Sequence, residues 1–228
     1  MTTDYIQPIP DSYLGNKIRH SLNILEQCLT KYTPNEIVVA FNGGKDCTVV
    51  LHQYSLVLHK KFPYTNRKPL LRALFIHNKP QFDNVLQFID ESVKYYHLDL
   101  IRIDGRIKDA LHQLKYSHSE IQCVIMGTRS TDPYSSGLND FSITDPTWPT
   151  YMRCNPILNY SYKDVWTFLT EYNVPYCSMY DQGFTSIGDK QKTIQNVKLQ
   201  YTNVNTGVVE YKPAYLLDDE VSERDGRE

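Results

Sequence analysis

Residues 37–47 of the chain read Ile37-Val38-Val39-Ala40-Phe41-Asn42-Gly43-Gly44-Lys45-Asp46-Cys47. The β-branched, apolar first half predicts a buried strand, and the paired glycines predict a tight turn directly after it. A helix that begins at such a turn points its N-terminal N–H groups and the positive end of its dipole toward the turn. The stretch therefore predicts a strand, an anion-binding turn and a helix, in that order, as in a cradle for nucleotide phosphates.

Two charged residues complete the turn. Lys45 adds a mobile cation, and Asp46 adds a carboxylate suited to orient a metal ion or a metal-bound water. The spacing matches neither the Walker P-loop nor the Gly-x-Gly-x-x-Gly dinucleotide fingerprint. It is similar to the pyrophosphate-cleaving loop Ser-x-Gly-x-Asp-Ser of adenine nucleotide α-hydrolase-like enzymes, with Asn42 and Cys47 in the serine positions. The alternative is a plain Gly-Gly connection between strand and helix, which leaves Lys45 and Asp46 without a role.

The overall composition excludes several classes of protein. With 24 basic and 26 acidic residues, the net charge of −2 gives no general reason to bind nucleic acid or an anionic membrane. The five cysteines are an odd number without a C-x-x-C pair, which argues against a disulfide framework and against a zinc or iron–sulfur site. Residues 1–11 lack a secretory pattern, and no apolar run reaches about 18 residues. We expect a soluble cytosolic protein that needs no protein partner.

Further along the chain, apolar strands alternate with amphipathic helices. This alternation predicts βαβ units, in which a parallel sheet carries helices on both faces. Ligands of such sheets bind beyond the carboxyl ends of the strands. We therefore expect Asn42–Asp46, His77-Asn78 and Gly127–Arg129 to converge on one crevice. The predicted strands are 37–41, 71–77, 98–103 and 123–126.

The second half of the chain is less regular. Residues 130–149 have little periodicity and predict a long, ordered loop, which in a compact domain is usually functional. Ser161, with Asp164 three residues later, predicts the N-terminal cap of another helix. Beyond Pro175 the pattern is typical of loops and ends in a charged tail.

The segment that follows the fourth predicted strand carries a second set of polar residues. Arg129 is suited to bind a phosphate through two parallel hydrogen bonds, which a lysine does not do. Asp132 adds a carboxylate at the same edge of the sheet. The alternatives are a surface ion pair for Arg129 and a turn residue before Pro133 for Asp132.

Together, these motifs show that the chain resembles the eukaryotic, especially fungal, FAD synthases, which are FMN adenylyltransferases of the phosphoadenosine phosphosulfate (PAPS) reductase-like family. The resemblance covers nearly the whole chain and implies a single domain, 1–228, with a Rossmann-like core at about 15–170 and a C-terminal flavin-binding extension at about 171–228. Five blocks carry it, in the order of the family: Phe41–Cys47; Met126–Arg129 with Thr131–Tyr134; Met152-Arg153 with Asn155-Pro156; Gly183–Gly188; and Lys212–Leu217.

The resemblance implies the last step of FAD biosynthesis. AMP passes from ATP to the phosphate of FMN, with Mg²⁺ as cofactor, and FAD and pyrophosphate are formed. An FMN phosphate oxygen attacks the α-phosphorus of ATP in line, so the protein needs to supply only positioning and charge stabilisation. No nucleophilic or redox role is assigned to Cys47. We expect its side chain to be buried at the start of the helix, as is usual for a free cysteine.

The resemblance also implies roles for individual residues. Asn42, Asp46 and Asp132 are the catalytic candidates, and Asp46 is the candidate protein contact of a Mg²⁺ ion that nucleotide phosphates hold for the most part. The candidates for binding ATP and its phosphates are Phe41, Asn42, Gly43, Gly44, Lys45, His77, Gly127 and Arg129. The candidates for binding FMN are Asp132, Trp148, Tyr151, Arg153, Phe184, Arg224 and Arg227, with the last two at its phosphate. The alternatives are packed aromatics and a solvated charged tail.

Three other functions compete with this one. A PAPS reductase uses a C-terminal nucleophilic cysteine, and no cysteine here follows Cys177. A tRNA thiolase needs a C-x-x-C pair and a basic surface, which the sequence lacks. A non-catalytic module that binds flavin or adenine nucleotide explains the glycines and Lys45 equally well. It does not explain Asp46 and Asp132, since carboxylates repel phosphates unless a metal ion intervenes.

Overall fold

The computed structural model describes residues 9–63, 71–135 and 137–227. Most of residues 1–11, for which the sequence predicts no secretory segment, therefore lies outside the described residues. The helices are α1 (Tyr13–Lys31), α2 (Lys45–Lys61), α3 (Asp83–Tyr96), α4 (Ile107–Ser117) and α5 (Tyr162–Glu171). The strands are β1 (Ile37–Ala40), β2 (Leu71–His77), β3 (Leu98–Asp104), β4 (Cys123–Ile125), β5 (Phe141–Ile143), β6 (Met152–Cys154), β7 (Gln200–Thr202) and β8 (Val209–Tyr211).

Strands β1 to β6 form one sheet in the order β3-β2-β1-β4-β6-β5. The first five strands of this order are parallel, and Val39 of β1 lies opposite Ala73 of β2 and Ile125 of β4. The predicted α/β fold is confirmed. The prediction of a loop over 130–149 is wrong in part, because β5 pairs antiparallel with β6 at the edge of the sheet. Each of these strands is three residues long, too short for a periodic pattern to show.

The two faces of the sheet are covered unequally. Helices α1, α2, α3 and α5 pack on one face, while α4 and Tyr151 pack on the other, against Val38, Leu74 and Val124. This leaves part of the second face open near the carboxyl ends of β1, β2 and β4. A crevice therefore begins where the sequence predicts that ligands bind.

Polar side chains cap the N-termini of α1 and α5. The Ser12 hydroxyl accepts a hydrogen bond from the Gly15 amide at the start of α1, at 3.0 Å. At the start of α5, the Ser161 hydroxyl accepts from the Asp164 amide while the Asp164 carboxylate accepts from the Ser161 amide. The predicted capping box is therefore confirmed. Among the described residues, no helix has the length and apolar character needed to cross a bilayer.

The chain beyond α5 returns to the crevice. It consists of short 3₁₀ turns and the β7–β8 hairpin, and its last 3₁₀ turn, Glu220–Arg224, contains the buried Ser222 and Glu223. The Asn196 side-chain amide donates to the Ser222 carbonyl at 2.7 Å, and the Ile194 amide donates to the Gly226 carbonyl at 2.9 Å. The alternative of a solvated tail is therefore wrong for this segment.

Candidate active site

The crevice at the carboxyl edge of the sheet has a volume of about 780 Å³. One part is apolar, and side chains such as Leu74, Ile76, Leu111 and Met126 line it. The other part is charged and is lined by Lys45, Asp46, Asp132, Glu223, Arg224 and Arg227. A ligand that combines a flat apolar ring with phosphate groups fits this division.

The Gly-Gly turn connects β1 to α2 at the charged end. Gly43 has φ +76°, which favours glycine, and its missing Cβ leaves room for Val85 and Ile89 of α3. The Gly44 amide donates to the Asn42 side-chain oxygen at 3.0 Å, and the Lys45 amide donates to the Tyr180 hydroxyl at 2.9 Å. Side-chain oxygens of the protein therefore accept hydrogen bonds from the backbone amides of Gly44 and Lys45 at the start of α2.

Lys45 and Arg129 are buried cations that share two carboxylates, Glu223 and Asp46. The Lys45 ammonium lies 3.0 Å from Asp46 Oδ2 and 2.5 Å from Glu223 Oε1. Arg129 Nη2 donates to both oxygens of Glu223 at 2.7 Å. Both cationic side chains are only 2% exposed. The prediction of a mobile cation at Lys45 is therefore wrong, and so is the alternative of a surface ion pair for Arg129.

Asp132 joins the same set of charges to the C-terminal segment. Its Oδ2 accepts from the Arg129 amide and its Oδ1 accepts from Arg224 Nη2, each at 2.9 Å. Asp132 is thus both a turn residue and an ion-pair partner. We call the following residues the charge cluster: Lys45, Arg129, Arg224, Asp46, Asp132 and Glu223. Its three cations balance its three carboxylates, which offsets the cost of burying Lys45, Arg129 and Glu223.

Arg227 lies beside the charge cluster and has unused capacity for an anion. Its Nη2 donates to the Ile187 carbonyl, whereas its Nε is buried with no hydrogen-bond partner among the described residues. Burial and the nearby charge of Arg224 lower the pKa of Arg227. A phosphate group at this position would accept a hydrogen bond from Nε and would raise the pKa of Arg227 again.

Opposing effects act on the Asp46 carboxyl. Burial raises its pKa, but the charges of Lys45 and Arg129 outweigh burial and hold the pKa below its usual value. Arg129 Nε lies 2.9 Å from Asp46 Oδ1, although the two atoms are not aligned as a hydrogen bond. Asp46 is therefore ionised at neutral pH and attracts cations in the crevice.

Cys47 is expected to be unreactive. Burial raises the pKa of its thiol to about 12, and the thiol donates to the Asn42 side-chain oxygen and the Gly44 carbonyl. Between about pH 7 and about pH 9, iodoacetamide should leave Cys47 unmodified in the folded protein, because only the thiolate is nucleophilic. Mass spectrometry detects the modification, and the chain unfolded in guanidinium is the positive control. Rapid modification of the folded protein would contradict the assigned protonation state.

Gly127 is expected to tolerate no side chain. A Cβ at this position would lie 2.7 Å from the Cys47 nitrogen and 2.8 Å from the Asp46 carbonyl carbon. Because both atoms belong to the backbone, Gly127→Ala should lower the free energy of unfolding in urea by about 2 kcal/mol. Gly207→Ala is the control, since its Cβ meets nothing within 4 Å and only its φ of +69° is strained. The control should cost about 1 kcal/mol, and an unchanged Gly127→Ala variant would refute the close contact.

The other predicted site residues divide into two groups. His77 does not line the crevice, because its ring lies against Phe75 and its Nδ1 is 3.1 Å from Asp104 Oδ1. Phe184 also lies outside the lining and packs edge-on against Phe82 at 5.6 Å. Gly43 and Arg129 lie behind the lining. The structure places these predicted residues along the crevice: Phe41, Asn42, Gly44, Gly127, Trp148, Tyr151 and Arg153.

Two residues of the site were not predicted from the sequence. Tyr180, which binds the Lys45 amide, lies in a segment where no motif marks it. Glu223 precedes Arg224 in the charged tail, and its charge alone did not distinguish it from its neighbours. The sequence contains only an indirect signal for Glu223: a buried lysine and a buried arginine require a carboxylate from elsewhere in the chain.

The chain matches the family of the phosphoadenosine phosphosulfate reductase domain over residues 36–120 and 106–195. It is 35% identical over 216 residues to a probable FAD synthase of Schizosaccharomyces pombe, which covers 94% of this chain and 80% of that protein. It is 37% identical over 213 residues to a probable FAD synthase of Caenorhabditis elegans, which covers 92% of this chain. The chain spans only 40% of the length of the worm protein.

Solved structures with the same fold include complexes with nucleotides. The FMN adenylyltransferase of Candida glabrata in complex with ATP is 25% identical, with a TM-score of 0.86 over 99% of this chain and 93% of that one. Its complex with FAD and inorganic pyrophosphate is 25% identical, with a TM-score of 0.85 over 99% and 95% of the two chains. A PAPS reductase of Candida auris, 15% identical with a TM-score of 0.56, shares the fold alone.

Proposed function

Because the chain belongs to the family of the phosphoadenosine phosphosulfate reductase domain and, within it, to the FAD synthases, we propose that it transfers AMP from ATP to the phosphate of FMN. The products are FAD and pyrophosphate, and the reaction is the last step of FAD biosynthesis. The charge cluster is the observation that carries this proposal. It gathers cations from the nucleotide turn, from the segment after β4 and from the C-terminal segment at one edge of the sheet.

The reaction needs this arrangement because both reactants are anions. ATP brings a triphosphate and FMN brings a phosphate monoester, and the two must meet with their reacting atoms in line. Arg224 and Arg227 line the crevice from the C-terminal segment, while Asn42, Gly44 and Lys45 line it from the nucleotide turn. We assign the first group to the FMN phosphate and the second to the ATP phosphates. The FMN phosphate then approaches the α-phosphorus of ATP between the two groups.

The protein supplies no covalent nucleophile in this scheme. An FMN phosphate oxygen is the attacking group, and the Cys47 thiol stays protonated with its pKa raised to about 12 by burial. Asn42 accepts a hydrogen bond from the Gly44 amide and fixes the shape of the turn at the crevice. Asp46 and Asp132 hold the cations Lys45, Arg129 and Arg224 in place. The chain therefore acts by positioning and by balancing charge.

A magnesium ion fits this site as a partner of the nucleotide phosphates. The described residues contain no group of three or more His, Cys, Asp or Glu side chains that could form a protein cage for a metal ion. Asp46 offers one ionised carboxylate at the crevice, and Mg²⁺ commonly binds through one or two carboxylates together with substrate phosphates. When bound there, the ion neutralises charge on the departing pyrophosphate. We assign Asp46 as its protein contact.

The apolar part of the crevice takes a flat ring. Trp148 and Tyr151 line it, and Tyr151 is held by a hydrogen bond from its hydroxyl to the Leu111 carbonyl at 3.3 Å. Arg153 is held by a hydrogen bond to the Ile143 carbonyl at 2.9 Å. We assign these three side chains to the flavin of FMN, because aromatic and planar cationic groups stack on such rings.

The proposal requires neither a partner chain nor an oxidising compartment. All six members of the charge cluster come from one chain, and ion pairs connect Lys45 and Arg129 to Glu223 and Asp132 to Arg224. These contacts support the proposal that a core at about 15–170 and an extension at about 171–228 act as one catalytic unit. All five cysteines are buried free thiols, the state that a reducing compartment such as the cytosol maintains. We therefore propose the cytosol as the place of the reaction.

The direct test is to incubate the purified protein with ATP, Mg²⁺ and FMN and to separate the flavins by chromatography. FAD and pyrophosphate should appear in equal amounts. Riboflavin is the matched control, since it carries the same ring without the phosphate that attacks, and it should give no FAD. Binding of ATP and FMN without formation of FAD would instead support the non-catalytic binding module.

A further inference from the structure

The nucleotide turn and the C-terminal segment meet at the carboxylate of Glu223. Its Oε1 accepts from the Lys45 ammonium at 2.5 Å, and both of its oxygens accept from Arg129 at 2.7 Å. The Glu223 side chain is 9% exposed and the two cationic side chains are 2% exposed. Lys45 and Glu223 are 178 residues apart in the sequence. One carboxylate thus connects the two ends of the proposed reaction site.

The backbone around Glu223 is held in place without its carboxylate. The Thr185 hydroxyl donates to the Glu223 carbonyl, and the Asn196 side-chain amide donates to the Ser222 carbonyl, each at 2.7 Å. The Ile194 amide donates to the Gly226 carbonyl at 2.9 Å. Because these bonds anchor the C-terminal segment, Glu223 is the fixed partner in its ion pairs. Lys45 and Arg129 are the partners that it orients.

Lys45 and Arg129, which Glu223 orients, also contact Asp46. The Lys45 ammonium lies 3.0 Å from Asp46 Oδ2, and Arg129 Nε lies 2.9 Å from Asp46 Oδ1. Long cationic side chains have many rotamers, and buried ones move toward any anion or water that replaces a lost partner. Loss of the Glu223 charge therefore leaves Asp46 as the carboxylate that Lys45 and Arg129 share, and it shifts all three side chains from their present geometry.

From these contacts we infer that Glu223 is a positioning residue: it fixes Lys45, Arg129 and, through them, Asp46 relative to the segment that carries Arg224 and Arg227. This inference rests on the proposed function and gives Glu223 a role of its own within the charge cluster. Electrostatics alone gives the opposite expectation. Removing one negative charge makes the crevice more positive and strengthens the binding of phosphates. A positioning role instead slows the transfer while the affinity for FMN is kept.

Glu223→Gln tests the inference, because glutamine keeps the size of the side chain and removes its charge. We expect kcat for FAD formation to fall by about 100-fold, the effect of a misplacement of about 1 Å in a reacting geometry. The Kd of FMN, measured by flavin fluorescence without nucleotide, should change by no more than about twofold, since the anchoring bonds remain. Glu223→Asp keeps the carboxylate one methylene shorter and should lose only about tenfold in kcat.

Asp225→Asn is the matched control, because it removes the same charge from an exposed position two residues away. Its kcat should stay within about twofold of the wild type. An unchanged kcat in Glu223→Gln would overturn the inference, and so would a loss of FMN affinity as large as the loss of kcat. If Glu223→Gln unfolds under assay conditions, Glu223→Asp takes its place as the test of the inference. A folded Glu223→Asp protein with wild-type kcat and a lower unfolding temperature would show that Glu223 contributes only to stability.

The wild type separates this inference from the proposed function. A wild-type protein that forms no FAD overturns the proposed function and this inference with it. A wild-type protein that forms FAD while Glu223→Gln has the same kcat overturns only the inference.

Discussion

Replacing Asp46 by alanine is expected to lower kcat for FAD formation by about 1,000-fold, the equivalent of about 4 kcal/mol in the activation barrier. The carboxylate lies 3.0 Å from the Lys45 ammonium and 2.9 Å from Arg129 Nε, and its pKa is held low by these two charges against the effect of burial. Without it, both cations lose a partner and the proposed Mg²⁺ site loses its protein contact. Steady-state production of FAD at saturating ATP and FMN measures the effect.

Two further variants show whether the loss of kcat in Asp46→Ala comes from the lost charge or from the changed shape of the side chain. Asp46→Asn keeps the shape and should lose nearly as much activity as Asp46→Ala, because an amide does not neutralise a cation. Asp83→Ala removes a carboxylate that is 93% exposed, and its kcat should stay within about twofold of the wild type. Circular dichroism shows whether each variant is folded. A folded Asp46→Ala protein with kcat close to that of the wild type would refute a catalytic role for this residue.

The double variant Arg224→Ala/Arg227→Ala is expected to lower kcat/KM for FMN by about 1,000-fold, since each hydrogen bond between charged groups contributes about 1.5–3 kcal/mol. Arg224 donates to Asp132 Oδ1 at 2.9 Å, and Arg227 keeps a buried Nε without a hydrogen-bond partner among the described residues. Both side chains line the crevice. Initial rates over a range of FMN concentrations measure the effect.

The loss should be specific for the phosphate of FMN. The KM for ATP should change much less than the KM for FMN, and the affinity for riboflavin, which has no phosphate, should be nearly unchanged. Arg19→Ala/Arg102→Ala is the matched control, because it removes the same charge from two side chains that are 41% and 47% exposed. An unchanged KM for FMN in the Arg224→Ala/Arg227→Ala variant would refute the assignment of this segment to the FMN phosphate.

The long buried elements could be predicted from the sequence because their patterns are local. Strand β2 has the predicted bounds, Leu71–His77, since seven mainly apolar residues carry a clear signal. The capping box at Ser161 is equally local, because its two partners lie three residues apart. Strands β5 and β6 pair with each other across the edge of the sheet and are three residues long, so only the tertiary structure specifies them.

The ion pairs of the site could not be predicted in the same way. The nucleotide turn shows by its residue types that it handles an anion, but nothing near Lys45 indicates that its partner is Glu223. The His77 side chain follows a predicted strand end and yet binds Asp104 on the neighbouring strand, because the pleat turns it away from the crevice. A motif therefore predicts where chemistry takes place, whereas burial and charge balance decide which side chains take part.

In the proposed reaction, the α-phosphate of ATP becomes part of FAD in this crevice. The most direct measurement uses ATP labelled with ³²P at the α-phosphate, together with Mg²⁺, FMN and the purified protein, and follows the label by chromatography. We predict that the label appears in FAD, one labelled FAD for each pyrophosphate released, and that Asp46→Ala shows almost none. Label that appears only in free AMP, or that remains in ATP while FMN is bound, would refute the proposed transfer of AMP to FMN.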